Sequence, residues 1–521
     1  MKQDRDQMTT REWIAVLGGA LGAFMAILDI QVTNASIREI SGALNLDIGE
    51  SGWISTAYLI AEIIVIPLTA FFSTSFGVRR YLVINCFGFL IASMMCGLSW
   101  SPTSMIVFRA LQGFTGGTLI PMSFQIILSL MPEKQKPIGL TIFGLTITLA
   151  PTLGPSLGGW LTDQYGWRFI FFINLIPGVL MIAAIRYGLE QTKSKLEYLK
   201  KLDLLSVIAL VIGLSSFTYI LEEGPKEDWF DSEKIRFMFL ASLLAFPFFV
   251  VRQFEIKTPI LNLRLFKDRN FAIGTIVTAL AGCALFSGIY SLSLFLGQVQ
   301  SYSASQIGQV LMWVGLPQLL VMPLVPSLMR RFDLRLLAII GMGLFAYSNW
   351  MNTDLSWHFG GEEFRASLLV RALGQPLFVI PLSVMSMSMI QKDQSGDASS
   401  IFNVMRNLGA SLGIALTSTF LVKRQTLHLL SKAETLSSFD SSLNEKIYKT
   451  ELSLRGAGMD AQSAKIRSFH EIMHPTIRDS VIAAFSDIFF ILSFSLIFCI
   501  LLIVCLRKIN LTADATENLG H

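Results

Sequence analysis

Long apolar runs separated by short charged segments dominate the chain. A helix needs roughly 20 predominantly apolar residues to cross the hydrocarbon core of a bilayer, which is about 30 Å thick. Fourteen runs satisfy this requirement, of which the eleventh is short. Their approximate cores are 13–33, 52–72, 81–99, 104–130, 138–161, 168–187, 203–222, 235–252, 271–295, 307–329, 336–352, 366–390, 398–421 and 480–505. The pattern predicts an all-α polytopic membrane protein with 14 transmembrane helices.

Basic residues fall mainly in alternate connections between these runs. Examples are the pairs Arg79 and Arg80, Lys134 and Lys136, Arg330 and Arg331, and Arg507 and Lys508. Connections rich in Lys and Arg stay on the cytoplasmic side, so these segments and both termini are expected in the cytoplasm. The first run is too long for a signal-peptide core and reads as an uncleaved first span.

Short sequence words recur in the two halves of the chain. Residues 109–113, Arg-Ala-Leu-Gln-Gly, return at 371–375 as Arg-Ala-Leu-Gly-Gln, and residues 153–158 resemble residues 408–413. Internal repeats of this kind indicate an architecture built by duplication. The first six and last six runs are then related, and runs seven and eight are an insertion.

The repeats predict a 6+2+6 arrangement typical of secondary transporters, whose substrate site lies between two halves. The N-terminal six-helix bundle is expected at 1–190, a linker with two additional helices at 191–260, and the C-terminal bundle at 261–521. The last bundle includes a long outer loop, 422–478, whose polar pattern also allows helix. This loop is either a solvated tether or a docking surface for a partner.

Composition supports the membrane class and argues against other functions. Hydrophobic residues make up 52% of the 521 residues, charged residues only 15%, and the mean hydropathy is +0.57. The net charge of +4 is spread over many connections, which gives no nucleic-acid surface. The cysteines lie in apolar runs without metal-ligand spacing, and no catalytic motif is present. We therefore expect no enzyme activity, no metal and no bound cofactor.

Three charged residues in the first half are candidates for proton coupling. Glu62 lies near the middle of its span, where a carboxyl group can exchange between neutral and charged forms. Asp29 lies about 24 Å along the first helix, at a depth comparable to that of Arg109 on a helix of opposite direction. A charge pair between Asp29 and Arg109 is therefore feasible. The alternative for each residue is a purely structural contact.

Further candidates for substrate binding or gating lie in spans four, five, twelve and thirteen. Arg371 and Arg406 could face a substrate or a carboxylate, or could bond helix carbonyls. Gly154 and Gly158 have the spacing that allows close helix contact, and two nearby prolines interrupt the same helix, which favours a hinge. These gating candidates are Gln112, Gly113, Pro151, Gly154, Pro155, Gly158 and Gly159.

Three words in the first half resemble motifs of one transporter family. They are residues 28–34 in span one, Arg109 with Gln112 and Gly113 in span four, and residues 154–159 in span five. The chain resembles major facilitator superfamily drug:proton antiporters of the fourteen-span EmrB/QacA type, closest to EmrB-like multidrug exporters. The connection after span two departs from the pattern, because Ser73, Thr74 and Ser75 replace an expected aspartate and basic residue.

The resemblance implies a proton-coupled efflux antiporter that exports hydrophobic or amphipathic drugs across a bacterial inner membrane. It associates Asp29 and Arg109 with proton coupling and requires no cofactor besides the proton gradient. EmrB-like exporters imply a membrane-fusion adaptor of the EmrA type, docked on 422–478, and an outer-membrane channel. A narrow exporter of a fatty acid, siderophore or other metabolite is the alternative. A channel would differ from either in needing no pH gradient.

Overall fold

The computed structural model describes residues 7–46, 51–132, 134–192, 194–435 and 441–509, and these residues form helices and turns without a β-strand. The first half contains α1 (Thr10–Ala35), α2 (Ile37–Leu44), α3 (Trp53–Phe76), α4 (Val78–Gly97), α5 (Pro102–Gly116), α6 (Leu119–Leu130), α7 (Lys136–Tyr165), α8 (Phe169–Phe172) and α9 (Leu175–Gly188). The inserted pair is α10 (Leu204–Glu223) and α11 (Glu233–Glu255).

The second half contains α12 (Arg269–Gln298), α13 (Ala304–Val321), α14 (Val325–Met329), α15 (Leu334–Trp350), α16 (Phe364–Met387), α17 (Ser395–Thr435), α18 (Ser441–Gly456) and α19 (Ala461–Val504). Short 3₁₀ helices occupy Leu196–Lys201, Trp229–Asp231, Leu263–Lys267, Met322–Leu324 and Lys392–Gln394. Side-chain caps begin several helices, because the first N–H groups of a helix lack partners within it. Thr9, Ser101, Asp203, Asp268, Ser303, Asp333 and Asp460 accept such bonds.

Twelve helical segments within the described residues are long and apolar enough to cross a membrane. The remaining two predicted spans coincide with the shorter helix α15 and with the more polar helix α17. Large apolar side chains also point outward, as on α11, where Phe237 is 67% and Leu244 is 66% exposed. Such a surface suits lipid contact. The predicted all-α polytopic class is confirmed, and the count of 14 spans stays a prediction.

Helices at corresponding positions make corresponding contacts in the two halves. In the first half α1 packs against α7 and α9, and in the second α12 packs against α17 and α19. Across the halves, α7 packs against α13 and α3 packs against α17. These pairs join the fifth predicted span of one half to the second of the other, as duplicated halves facing each other would. The division of the chain into domains at residues 190 and 260 stays a prediction, and these contacts are consistent with it.

The inserted pair contacts both halves. The first of its helices, α10, packs against α3 and α17. Glu223 accepts a hydrogen bond from the Thr56 hydroxyl at 3.2 Å, and the Trp229 indole donates to the Thr419 hydroxyl at 2.8 Å. At its other end, Arg252 binds both carboxylate oxygens of Asp203, at 2.6 and 3.0 Å. The pair is therefore held to α3 and to α17 at the same end of the molecule.

The segment predicted as a long outer loop, 422–478, is largely helical. Helix α17 has 41 residues and α19 has 44, which correspond to about 60 and 66 Å at 1.5 Å per residue. Both exceed a hydrocarbon core of about 30 Å. Helix α18 packs on α19, and residues 436–440 lie outside the described part of the chain. Hydropathy falls at the membrane edge while helix-forming residues continue, so the helices extend further than the apolar runs.

One ionic cluster joins the long helices near the start of this extension. Asp487 of α19 binds Arg424 and His428 of α17, both at 2.6 Å. The two partners lie four residues apart and therefore share one face of α17. The cluster holds the two long helices side by side.

Candidate functional site

Asp29 of α1 and Arg109 of α5 meet in the interior of the protein. Arg109 Nη1 donates to Asp29 Oδ2 at 2.6 Å, and the two side chains are 0% and 1% exposed. The other carboxylate oxygen accepts hydrogen bonds from Gln112 at 2.9 Å and from Asn174 at 2.7 Å. Hydrogen bonds of this kind offset the cost of burying the ion pair, although Arg109 Nη2 has no hydrogen-bond partner among the described residues. The sequence placed the two charged residues at similar depth, and the structure joins them.

The Arg109 guanidinium is held from several directions. Its Nε donates to the Ile54 carbonyl at 3.2 Å and its Nη1 also donates to Gln112 Oε1 at 2.8 Å. The Tyr58 ring lies 4.4 Å from the guanidinium carbon, within cation–π distance. Gly113 makes this arrangement feasible, because a Cβ there would collide with the Tyr58 carbonyl. Helix α5 therefore approaches α3 closely and brings the ring onto the arginine.

Asn174 and Tyr58 belong to the site, and the sequence analysis did not identify them. Asn174 also donates to the Ser93 hydroxyl at 3.0 Å, and that hydroxyl donates to the Phe171 carbonyl at 2.7 Å. The available signal was an amide side chain within the apolar run 168–187. A buried polar group in hydrocarbon requires a partner, so Asn174 pointed to a network.

Glu62 lies at the interface between the halves, and Arg109 of the Asp29 pair is among its electrostatic neighbours. It is buried on α3, with Arg406 and Asn407 of α17 as electrostatic and hydrogen-bonding neighbours. Arg406 donates to Asn407 at 3.3 Å, while its Nε and Nη1 have no hydrogen-bond partner among the described residues. The structure thus brings two predicted site residues together from opposite halves. A change in the charge of Glu62 would act directly on this interface.

The small residues of span five pack α7 against α1. A Cβ added at Gly154 would collide with Gln31, and one at Gly158 would lie 2.9 Å from the Val32 carbonyl oxygen. Gly159 differs, since the nearest atom to its Cβ would be 3.6 Å away, an ordinary contact. The corresponding segment of the second half, residues 408–413, is packed as closely. A Cβ at Gly413 would collide with the Cys283 carbonyl oxygen at 2.5 Å. Both halves use this spacing for close helix approach.

Pro151 and Pro155 lie inside the continuous helix α7. Each removes one backbone donor from the helix interior. Pro151 also lines a narrow cleft between the halves, which α7 forms together with α12, α13 and α16. Polar side chains on the α16 wall are Arg371 and Gln375, while most of the lining is apolar. Pro151, one of the predicted hinge residues, therefore lies at the edge of this cleft.

The connection after span two is held by neutral groups in place of the missing aspartate. The Ser73 hydroxyl contacts Gln125 at 3.4 Å, and Arg79 and Arg80 bind the Leu189 carbonyl and the Ser194 hydroxyl at 3.3 and 3.1 Å. Gly77 between these groups has a φ of +85°, which favours glycine. Within the described ranges, no cluster of three or more His, Cys, Asp or Glu residues could hold a metal ion.

The sequence is similar to several named transporters. The Colistin resistance protein EmrB of Acinetobacter baumannii is 32% identical, over 89% of this chain and 90% of that protein. The Multidrug export protein EmrB of Escherichia coli K12 is 29% identical, over 89% and 90%. The Fatty acid resistance protein FarB of Neisseria gonorrhoeae is 29% identical, over 83% and 85%. Each alignment covers most of both chains.

The fold is also shared with a solved transporter structure. The human organic anion transporter MFSD10 superposes with a TM-score of 0.59 at 15% identity, over 93% of this chain and 99% of that one. The sequence pattern of the Major Facilitator Superfamily matches residues 19–414. The predicted family is confirmed by both the pattern and the relatives. The chain belongs to the Major Facilitator Superfamily and is a membrane transporter, not an enzyme.

Proposed function

We propose that the protein is a proton-coupled efflux antiporter that exports hydrophobic or amphipathic compounds. The observation that carries the proposal is the pair of separate buried carboxylates, Asp29 within one bundle and Glu62 between the bundles. Burial of a carboxyl group in an apolar interior costs free energy, so such groups are rare and usually have a partner or a function. The similarity to exporters named for multidrug, colistin and fatty acid resistance supports export as the direction.

The contacts of each carboxylate give it a distinct role in this proposal. Proton uptake by Asp29 removes its charge from Arg109, while Gln112 and Asn174 can still donate to its oxygen atoms. Proton uptake by Glu62 weakens its attraction to Arg406 and so loosens the contact of α3 with α17. A proton at Glu62 would thus favour separation of the halves, and its release would favour their closure.

Purified protein in proteoliposomes tests the coupling. A carrier of this kind exports a fluorescent hydrophobic substrate only under an imposed pH gradient, whereas a channel passes it without one. Asp29→Asn and Glu62→Gln should insert normally and lose gradient-driven export. Glu233→Gln is the matched control, because the Glu233 carboxylate is 94% exposed at the start of α11. Gradient-driven export by both carboxylate variants at the wild-type rate would refute the proposal.

A narrow exporter of a fatty acid or siderophore is the second candidate. The similarity to FarB of Neisseria gonorrhoeae favours it. A strain lacking the protein, grown against a panel of drugs, detergents and fatty acids, separates the candidates. Sensitivity to many unrelated compounds supports the broad exporter, and sensitivity to one class supports the narrow one.

We further propose a bacterial inner-membrane location with both termini in the cytoplasm and a membrane-fusion adaptor on the extension formed by α17, α18 and α19. Alternating basic connections support the orientation. The extension exposes apolar side chains at helical spacing, Tyr448 and Leu452 on α18 and Ile466 and Phe469 on α19. Exposed apolar groups of this kind beyond the membrane suit a protein interface. The adaptor would pass substrate to an outer-membrane channel.

Surface substitutions on α18 test the adaptor. Tyr448→Ser with Leu452→Ser should abolish co-purification of an adaptor and resistance in cells, while transport across a single reconstituted bilayer continues. Lys449→Ser is the control on the same helix, since its side chain is 73% exposed and polar. Unchanged resistance in the double variant would mean that the protein works without a partner at this surface.

A further inference from the structure

The two arginines at corresponding places in the repeat have different surroundings. Arg109 has a carboxylate, a glutamine and a carbonyl as partners. Arg371 is 5% exposed, and its one hydrogen bond among the described residues runs from Nη2 to the Leu285 carbonyl at 3.0 Å. Its Nε has no partner, and no carboxylate of the described chain forms an ion pair with it. The positive charge of Arg371 is therefore buried without an anionic partner, and its guanidinium carbon lies 5.2 Å from the centroid of the Phe345 ring.

The Arg371 guanidinium borders the cleft between the halves. The walls of this cleft are Ile147 and Thr148 of α7, Leu285 and Phe286 of α12, and Leu311 of α13, among others. A guanidinium carries five N–H donors in a planar fork that matches a carboxylate. Most of these donors remain available here. An apolar cleft with one unpaired cation favours a ligand that has a hydrophobic body and one negative charge.

We propose that Arg371 is the anion-recognition residue of the cleft, which takes hydrophobic monoanions such as long-chain carboxylates. This inference rests on the proposed export function and names its substrate class. The ligand carboxylate supplies for Arg371 the partner that Asp29 supplies for Arg109, and the hydrocarbon body packs against the α7, α12 and α13 walls. A hydrophobic cation is disfavoured, because it would bring a second positive charge beside an uncompensated one.

Gln375 adds a second polar group one turn along α16. Its side-chain oxygen accepts a hydrogen bond from Gln318 at 3.1 Å, and the Gln318 side-chain oxygen has no partner among the described residues. Gln318 lies on α13, and Gln375 is the member of the pair that lines the cleft beside Arg371. It provides neutral polar contacts beside the charge without competing for the guanidinium. The α16 wall of the cleft is thus polar, α12 and α13 line it with apolar side chains, and α7 adds the hydroxyl groups of Thr148 and Thr152.

A matched set of ligands tests the proposal on the full-length protein in detergent. Dodecanoate, dodecanamide and dodecylammonium share a hydrocarbon body and differ in head-group charge. Binding is measured by isothermal titration, which requires no transport. The wild-type protein should bind dodecanoate most tightly and dodecylammonium most weakly. Equal affinity for the three ligands, or tighter binding of the cation, would overturn the proposal before any variant is made.

Variants then assign the preference to Arg371. Arg371→Gln should weaken dodecanoate binding about tenfold to a hundredfold, the range for a hydrogen bond to a charged group. Dodecanamide binding should change little, and Arg371→Lys should fall between the wild type and Arg371→Gln. Arg365→Gln is the control, since this arginine lies on the same helix but stacks on Trp313 and pairs with Glu362. Equal losses for all three ligands would make Arg371 structural and overturn the proposal.

The outcome separates this inference from the proposed function. Selective dodecanoate binding that Arg371→Gln removes supports the anion site even if proteoliposomes show no gradient-driven export. Gradient-driven export of neutral or cationic compounds at equal rates by the wild type and Arg371→Gln, without dodecanoate binding, overturns the anion site and leaves the antiporter proposal standing.

Discussion

The carboxylate of Asp29 and the guanidinium of Arg109 form an ion pair of 2.6 Å between side chains that are at most 1% exposed. The pair joins α1 to α5 in the interior of one bundle. The attraction between two buried charges of opposite sign offsets part of their desolvation cost. Removal of either residue leaves the other charge buried without a partner. Substitutions of the two residues should therefore depend on each other.

Arg109→Gln alone should destabilise the protein by about 3–5 kcal/mol, because it leaves the Asp29 charge buried without its partner. Asp29→Asn with Arg109→Gln should recover much of that loss. The measurement is the apparent melting temperature in detergent, followed by the loss of the monodisperse species. A double variant whose loss equals the sum of the two single losses would show that the residues do not interact.

Asn174→Leu should destabilise the protein by about 1–3 kcal/mol, since Asp29 and Ser93 both lose a buried hydrogen-bond donor. Export driven by a pH gradient should fall with it. Asn85→Leu is a suitable comparison, because the Asn85 amide donates to the Tyr81 carbonyl of its own helix. An Asn174 variant no worse than the Asn85 variant in export would place Asn174 outside the coupling network.

Gly158→Ala and Gly159→Ala form a matched pair in α7. The first should lower stability by about 1–3 kcal/mol and slow export, because the new methyl group would press on the Val32 backbone, which cannot move aside without shifting α1. The second should be nearly neutral, since its nearest neighbour would lie at 3.6 Å. Export assays and melting temperatures of the two variants measure the difference. Equal behaviour would contradict the close contact of α7 with α1.

Asp460 should make the start of α19 dependent on pH. Its side chain accepts hydrogen bonds from the Ser463 hydroxyl and from the backbone N–H groups of Ser463 and Gln462, and these bonds hold the pKa of Asp460 below its ordinary value of 3.8. A lowered pKa means that the cap is fully formed above the ordinary value and is lost as the pH falls through the lowered one. Hydrogen exchange of residues 461–464, corrected for the intrinsic effect of pH, should therefore rise in acid.

Two variants of Asp460 separate the charge from the cap. Asp460→Ala should show fast exchange at every pH, because alanine cannot cap the helix. Asp460→Asn should keep slow exchange and lose the dependence on pH, since asparagine caps the helix without an ionisable group. Dependence on pH in the asparagine variant would assign the effect to another residue.

The depth of charged residues along the helices could be predicted from the sequence, and their partners mostly could not. Counting from the helix ends placed Asp29 level with Arg109, because helix rise is regular. Asn174 was missed, since its side chain reaches Asp29 from the turn just before α9, a segment that no spacing in α1 or α5 points to. The partners of a buried residue come from tertiary packing.

The internal repeat also failed to predict the partners of a buried residue. Similar words around Arg109 and Arg371 indicated equivalent places, and the structure gives them unlike surroundings. Equivalence within one helix says nothing about the charges that neighbouring helices contribute. The outer segment 422–478 was predicted as a loop for a related reason, because hydropathy measures contact with lipid whereas helix continuation depends on local propensity.

Helix α17 carries Arg406 at the interface of the halves and continues without a break to Thr435. A rigid tilt of this helix at Arg406 would therefore also displace its end near Thr435. A small tilt at Arg406 becomes a larger displacement at the tip, and the Asp487 cluster makes α19 share that movement. A partner bound to the end of α17 would therefore be displaced in each transport cycle. A partner that holds this end in place would in turn oppose the movement of the halves.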